Sequence, residues 1–336
     1  MMIKYADQIY IAHHQSTLGA AIVRQLLSQG YSQRQLVTRD DLDLCDQAQV
    51  LAFFAQERPD QVYFPSGALH REALSPEAIA TDMASAVNVM QAAYETNVDR
   101  LLFITGAFVY PQRALLPIAE EELFNGLPSA EWRGQAVAQW AAMELCESYS
   151  HPSRRRPADF RCAVACQHYG PVNLLTHDTT LVTDLIHRIQ QARQSDQLFV
   201  TISGDPNERH ELLHVDDMAD ACLHVLQLPR NDFMGSTAPM GRHINIGSGE
   251  EISLSDLTYE LAGDMGYTGC INFEPSPAAQ PQRRLLDSWR LHSLGWSALR
   301  ELQDGLKQLN NSPLAIQTCQ PEQWRSLLTS STAHID

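Results

Sequence analysis

The chain has 336 residues, a formal net charge of −16 and a pI of about 5.2, which argues against a nucleic-acid-binding surface. Its mean hydropathy is −0.25 and no apolar run approaches the ~18 residues of a membrane-spanning helix, so we expect no membrane association. The N-terminus lacks the pattern of a secretion signal, and the seven cysteines lack metal-ligand spacing, so we expect a cytoplasmic protein without a metal site.

The first half of the chain alternates short apolar strands with amphipathic helices. Strands are predicted at residues 8–12, 36–38, 61–64, 100–105 and 160–165. Helices are predicted between them at residues 18–27, 47–56, 76–96 and 133–149. This alternation indicates right-handed crossovers and a parallel sheet with helices on both faces.

The pattern is less regular after residue 171. Helices are predicted at residues 179–192, 216–226 and 254–265, and strands at 198–203, 244–246 and 270–273. We therefore predict an α/β fold, with a Rossmann-type doubly wound parallel sheet and a smaller C-terminal substrate lobe. Residues 1–171, completed by about 214–247, would form the first domain. Residues of about 172–213 and 248–310 would form the lobe, and 311–336 a tail.

Seven short runs carry a resemblance to a known family. They are LGAAIVRQL (18–26), TRDDLDL (38–44), LCESY (145–149), YGP (169–171), LHVDDM (213–218), INIGSG (244–249) and LLD through LGW (285–296). In this order they resemble the extended short-chain dehydrogenase/reductase (NAD-dependent epimerase/dehydratase) family, and most closely its GDP-L-fucose synthase branch. The resemblance implies NADPH-dependent epimerisation and reduction of a 4-keto-6-deoxy GDP-sugar. It also implies a homodimer that pairs the helices predicted at 76–96 and 133–149.

The nucleotide-binding loop departs from the family pattern G-x-x-G-x-x-G. It reads HHQSTLG over residues 13–19, so only Gly19 remains, at the position that allows close packing of helix and strand. A side chain at His13 disfavours the backbone conformation of a glycine, and its imidazole could fill the phosphate space. Arg39, after the second strand, could meet a 2′-phosphate. The loop is interpreted as decayed, so we expect no cofactor unless the loop still binds NADP(H). The alternative is that His13 and His14 serve as acid–base groups or phosphate ligands.

The catalytic positions of the family are also replaced. Its serine, cysteine, tyrosine and lysine align with Ala107, Phe108, Gln135 and Gln139, and its partner histidine aligns with Leu181. A glutamine forms hydrogen bonds but does not exchange protons near neutral pH. Five simultaneous replacements predict that the ancestral hydride transfer has been lost.

Three histidines are candidates for a different chemistry. His13, His70 and His168 each follow a predicted strand, at the sheet edge where open α/β proteins bind ligands. Their imidazoles could converge and carry out non-redox acid–base steps, with Tyr110 as a further proton-carrying group. Surface or structural histidines are the alternative.

Three arginines are candidates for binding a nucleotide-sugar. Arg209, Arg283 and Arg284 lie near the positions where the family meets the GDP pyrophosphate, and a guanidinium binds phosphate oxygens in a bidentate manner. Ion pairing to local acids such as Glu208 or Asp287 is the alternative reading.

These features support three functional hypotheses. The first is an enzyme repurposed for a non-redox biosynthetic step such as cyclisation, elimination or isomerisation. The second is a non-catalytic dimeric scaffold or nucleotide-sugar-binding protein, and the third is a divergent NADP-dependent GDP-sugar epimerase or reductase. We place the first two ahead of the third. An open cavity lined by the histidines favours the first, and a cleft filled by His13, Phe108 and Trp140 favours the second.

Overall fold

A computed structural model describes residues 7–39, 41–67, 75–171, 180–237, 243–274 and 283–311. The strands are β1 Ile9–Ile11, β2 Leu36–Val37, β3 Gln61–Pro65, β4 Arg100–Gly106, β5 Asp159–Ala165, β6 Gln167–Tyr169, β7 Phe199–Ser203, β8 Arg209–His214, β9 His243–Ile246, β10 Glu251–Ser253 and β11 Cys270–Glu274. The helices are α1 Thr17–Ser28, α2 Gln47–Glu57, α3 Pro76–Glu95, α4 Arg133–Ser150, α5 Leu181–Gln194, α6 Val215–Gln227, α7 Arg230–Ser236, α8 Leu254–Asp264, α9 Trp289–Ser293 and α10 Leu302–Asn311. Within these ranges, no helix is both long enough and apolar enough to cross a bilayer.

A six-stranded parallel sheet forms the centre of the molecule. Its strand order is β2-β1-β3-β4-β5-β9, and every neighbouring pair runs parallel. Strands β1, β3, β4 and β5 are almost continuously buried, which is the burial expected of parallel strands covered by helices on both faces. The predicted α/β fold with a Rossmann-type sheet is confirmed.

Two small sheets lie beside the central one. The first has the order β10-β8-β6, and the second pairs β11 with β7. Side chains from β7, β8, α5, α8 and α10 form a second hydrophobic core, separate from the core of the large sheet. Strands β6, β8 and β10 were missed by the sequence pattern, because they are short or mix charged and apolar residues. The predicted domain boundaries stay predictions.

The three-stranded β10-β8-β6 sheet, called the small sheet below, is joined to the large sheet and its helices by very short connections. Helix α6 begins at Val215, directly after the last residue of β8, and only Cys166 separates β5 from β6. His214 caps α6 by accepting a hydrogen bond from the backbone N–H of Asp216 at 3.2 Å. The carboxylate of Asp216 in turn forms an ion pair of 2.6 Å with Arg24 of α1. These contacts fix the start of α6 against the rest of the large domain.

Candidate active-site cleft

A cavity of about 450 Å³ lies at the carboxyl ends of β1, β2 and β3. Strand β1 has β2 on one side and β3 on the other, so the chain reverses its direction of winding at this point, where open α/β sheets bind ligands. The cavity has the size of a small-molecule site. Its lining comes from the loops after these strands and from α1, α3 and β6: Tyr10, His13, His14, Gln15, Ser16, Leu18, Arg39, Leu42, Asp43, Leu44, Cys45, Pro65, Ser66, Gly67, Thr81, Ser85 and His168.

The loop between β1 and α1 keeps a glycine-like backbone without the glycine. His13 has φ of +51°. This lies in the left-handed region, which glycine adopts readily and other residues seldom adopt, with asparagine, aspartate and histidine the most frequent among them. A β-carbon added to Gly19 would lie 2.2 Å from the carbonyl oxygen of His13, so the helix packs directly on the loop. Ser16 caps α1, because its hydroxyl accepts a hydrogen bond from the N–H of Gly19 at 3.1 Å. The shape of the loop therefore survives although its sequence has changed.

The cleft brings together some of the predicted residues. His13, Arg39 and His168 all line it. His13 is exposed and its ring stacks on Phe64 at 6.0 Å, whereas His168 is only 7% exposed. Arg39 forms an ion pair of 2.9 Å with Asp41. His70, which the sequence places in the same cleft, lies outside the described residues. Two of the three candidate histidines thus share one cavity, and their chemical roles stay predictions.

Tyr110 is not placed where a reacting phenol should be. Its side chain is fully buried, donates a hydrogen bond of 2.5 Å to Asn245 and lies 2.9 Å from Nε2 of His243. Burial raises the pKa of the Tyr110 phenol and lowers the pKa of His243 to about 3, so both groups are neutral near pH 7. The expectation that Tyr110 carries protons in the cleft is therefore not supported, because the side chain is part of the core.

The positions of the missing tyrosine and lysine are occupied by a buried amide–carboxylate cluster. Gln135 and Gln139 of α4 are 0% and 2% exposed. Both side-chain amides donate to the same oxygen of Asp82 on α3, at 2.5 Å and 3.3 Å. A β-carbon on Gly67 would lie 2.5 Å from the other Asp82 oxygen, so the cluster borders the wall of the cleft. Phe108 does not fill the cavity but stacks on Trp132, with ring centres 5.2 Å apart.

Comparisons with known proteins identify the lineage. The sequence profile of the NAD dependent epimerase/dehydratase family matches residues 9–247. This chain belongs to that family. The family resemblance found in the sequence is thereby confirmed.

Relatives within the family include proteins that are named for GDP-sugars. The GDP-L-fucose synthase of Escherichia coli (strain K12) is 35% identical over 305 residues, which cover 89% of this chain and 94% of that protein. GDP-L-fucose synthase 1 of Arabidopsis thaliana is 32% identical over 308 residues, which cover 90% of this chain and 91% of that protein.

Solved structures show the same fold. The GDP-mannoheptose C4 reductase from Campylobacter jejuni, with NADP bound, has a TM-score of 0.79 and 28% identity over 92% of this chain and 98% of that one. A GDP-6-OMe-4-keto-L-xylo-heptose reductase from C. jejuni has a TM-score of 0.82 and 26% identity over 97% of this chain and 99% of that one. Because the first of these holds NADP, the expectation of no cofactor has no support from the family.

The candidate arginines are engaged in different ways. Arg209 is exposed at the start of β8. Arg283 forms a bidentate ion pair with Glu251, with contacts between 2.5 and 2.8 Å. The sequence analysis gave ion pairing to a local acid as the alternative to phosphate binding. Arg283 is paired in this way, with Glu251 as its acid. Arg284 donates to the carbonyl oxygens of Tyr110 and Pro111, and burial lowers the pKa of its guanidinium to about 10. Binding of a family substrate by these residues stays a prediction.

Two acidic residues with notable contacts, Asp82 beside the cleft and Glu211 in β8, were missed by the sequence analysis. Asp82 sits in the middle of a long helix, and only the fold shows that it meets Gln135 and Gln139. Glu211 is buried in β8 and accepts hydrogen bonds of 2.9 Å from the N–H groups of Leu286 and Gly249. Burial raises the pKa of Glu211 to about 7. No sequence pattern pointed to it, because β8 mixes charged and apolar residues and was not predicted as a strand.

Proposed function

We propose that the protein is a divergent enzyme of the epimerase/dehydratase family that binds NADP(H) in the cleft and acts on a GDP-linked keto sugar. The observation that carries the proposal is the open cavity at the switch point of the sheet, with its loop still in a glycine-like conformation. The similarity to two C. jejuni GDP-sugar reductases supports the same class of reaction. This reverses the order of the three hypotheses drawn from the sequence.

The residues of the cleft fit the cofactor. The loop at 13–19 would face the pyrophosphate, and Arg39 on the cavity wall would meet the 2′-phosphate. The close approach of Gly19 to the loop, which a β-carbon would prevent, is the packing that the dinucleotide fold requires. When bound, NADP(H) supplies or accepts a hydride at a sugar carbon.

Proton exchange at the sugar oxygen needs a group other than the glutamines. We assign it to His168, because this imidazole lines the cleft and is largely buried. An imidazole can accept and release a proton, unlike the amides of Gln135 and Gln139. Buried in this way, it is also shielded from competing water.

Exposed side chains support two further parts of the proposal, the binding of the GDP phosphates and the formation of a homodimer. Arg209 provides an exposed guanidinium for the GDP phosphates at the start of β8, the central strand of the β10-β8-β6 sheet. Met83 and Val87 on α3 and Val137 on α4 are 44%, 47% and 50% exposed, which suits a homodimer that pairs these two helices. We place the protein in the cytoplasm with a small-molecule ligand.

A second candidate function is favoured by one specific observation. Gln135 and Gln139 both donate hydrogen bonds to Asp82, so the place of the family's phenol and ammonium is taken by amides. In this second candidate function, the protein binds the same ligands but either catalyses a non-redox step or acts as a non-catalytic scaffold. The two candidates share the cleft and differ in whether NADPH is consumed.

The deciding experiment mixes the purified protein with NADPH and a GDP-linked 4-keto sugar and follows nicotinamide absorbance and sugar products. We expect turnover, and a loss of ~10²-fold or more in kcat for His168→Asn. The control is His187→Asn, on the exposed side of α5, which should keep full activity. The double variant Gln135→Tyr/Gln139→Lys tests the second candidate. If the native protein binds both ligands without consuming NADPH and the double variant consumes it, the reductase proposal is refuted and the non-redox candidate stands.

A further inference from the structure

Two backbone donors of the loop between β1 and α1 are already used inside the loop. The N–H of Ser16 donates to the carbonyl oxygen of His13 at 2.8 Å. The N–H of Gly19, at the first turn of α1, already donates to the Ser16 hydroxyl at 3.1 Å. These two amides are therefore not available to a pyrophosphate, and charged side chains around the loop gain importance as anion ligands.

The side chains around the loop can provide that charge. His13 and His14 both line the cavity, and His13 stands at the position of the loop's first glycine. Across the cavity, Arg39 is a permanent cation, but its pairing with Asp41 at 2.9 Å offsets part of its charge. Asp43 also lines the cavity and its carboxylate repels an anion. Among the described lining residues, protonation of the imidazoles therefore adds the positive charge that an anion needs.

A further polar group in the cavity indicates a ligand. Ser66 follows β3, lines the cavity and is 4% exposed. Its hydroxyl has no hydrogen-bond partner within the described part of the chain. A buried hydroxyl without a partner costs about 1–3 kcal/mol, a cost that a phosphate or ribose oxygen would remove. The cavity is thus built for a polar ligand next to the loop.

We infer that the imidazoles of His13 and His14 have taken over the recognition of the ligand's diphosphate from the backbone amides, so that the cleft binds its nucleotide more tightly as the pH falls. This inference rests on the proposed function, because it requires a dinucleotide in the cleft. It deepens that function by making ligand affinity depend on protonation. A glycine loop has no titratable group, so its binding strength would not change in this way.

Among the described residues that line the cavity, the other titratable and charged groups are Tyr10 from β1, Arg39 and Asp43 from the loop after β2, Cys45 before α2, and His168 from β6. In their ordinary ranges, arginine, aspartate and tyrosine keep one protonation state between about pH 5.5 and 8, whereas a thiol begins to ionise near pH 8. The double loop variant described below keeps Cys45 and His168, so a contribution of either group to the pH dependence remains visible in it.

The experiment is a calorimetric titration of the full-length protein with NAD⁺ and with NADP⁺ between about pH 5.5 and 8.5. NAD⁺ is the main probe because its diphosphate stays ionised over this range, whereas the 2′-phosphate of NADP⁺ titrates near a pKa of about 6. A charged donor binds an anion more tightly than a neutral one, so we expect NAD⁺ to bind roughly tenfold more tightly at pH 6 than at pH 8.

The variants assign the effect to the loop. His13→Ala/His14→Ala should reduce the pH dependence to less than about twofold. His13→Gly, which suits the positive φ and protects the fold, should reduce it in part. His187→Ala, on the exposed side of α5, and His168→Ala should both retain it.

The outcomes are distinguishable. A pH dependence that survives in the double variant refutes the inference and leaves the proposed function intact. A dependence lost only in His168→Ala refutes it in the same way. Failure of both nucleotides to bind at any pH refutes the inference and the proposed function together.

Discussion

Gly19 is the one loop glycine that remains, and its replacement by alanine should destabilise the whole fold. The added β-carbon would lie 2.2 Å from the His13 carbonyl oxygen and 2.8 Å from the Cα of His14, and both obstacles are backbone atoms. Relief requires the loop and α1 to separate by roughly 1 Å. Overpacking of this kind costs about 1–3 kcal/mol, and the strained Ser16 cap adds about 1 kcal/mol. We expect a loss of about 3 kcal/mol.

The measurement is urea unfolding followed by far-ultraviolet circular dichroism, which gives the free energy of unfolding of each variant. The matched control is Gly263→Ala in α8, where a β-carbon would meet no atom within 4 Å. This helical glycine should gain up to about 1 kcal/mol when replaced by alanine. If the two variants are equally stable, Gly19 does not hold the helix against the loop, and the argument that the loop keeps a dinucleotide-binding shape is wrong.

Two further predictions concern buried charges. Glu211 has a pKa of about 7 against an ordinary value of 4.5, so the folded state holds a proton that the unfolded state releases. The protonated Glu211 therefore contributes to the free energy of unfolding fully below about pH 4.5, and this contribution is lost as the pH rises through about 7. The free energy of unfolding should fall by up to about 3 kcal/mol over this range. Glu211→Gln should lack this loss when urea unfolding is compared at pH 5 and pH 8, and an identical pH dependence in both proteins would contradict the assignment. Arg161 is 0% exposed, pairs with Asp159 at 2.7 Å and donates to the carbonyl oxygens of Val225 and Leu228. Arg161→Met should cost about 3–5 kcal/mol in urea unfolding, whereas Arg188→Met, which breaks an exposed pair, should cost less than about 1 kcal/mol; equal effects would refute the role of burial.

The sequence predicted the central sheet well, because its strands are short apolar runs between helices of regular periodicity. The same signals failed in the small sheet. Strand β8 contains charged and apolar residues together, and its last four residues are all buried, so its sequence shows no alternation of apolar and polar residues. Pairing between distant segments is not visible in a local pattern.

The candidate site was predicted in part. Position along the chain placed His13, Arg39 and His168 at strand ends, and the sheet brings them to one cavity. Tyr110 also follows a strand, yet a turn directs its side chain into the core, and no sequence pattern records that direction. The replacement of the catalytic pair was visible, but not the carboxylate of Asp82 that Gln135 now contacts.

The short joints between the sheets have a mechanical consequence. With no residue between β8 and α6, and only Cys166 between β5 and β6, neither connection contains a segment that can change its backbone angles freely. A displacement of β8 therefore reaches the first residue of α6 without an intervening loop that could absorb it. Helix α6 packs on α1, whose first turn borders the cleft. The β10-β8-β6 sheet and the wall of the cleft are in this way connected through two adjacent helices, with no flexible segment between β8 and α6.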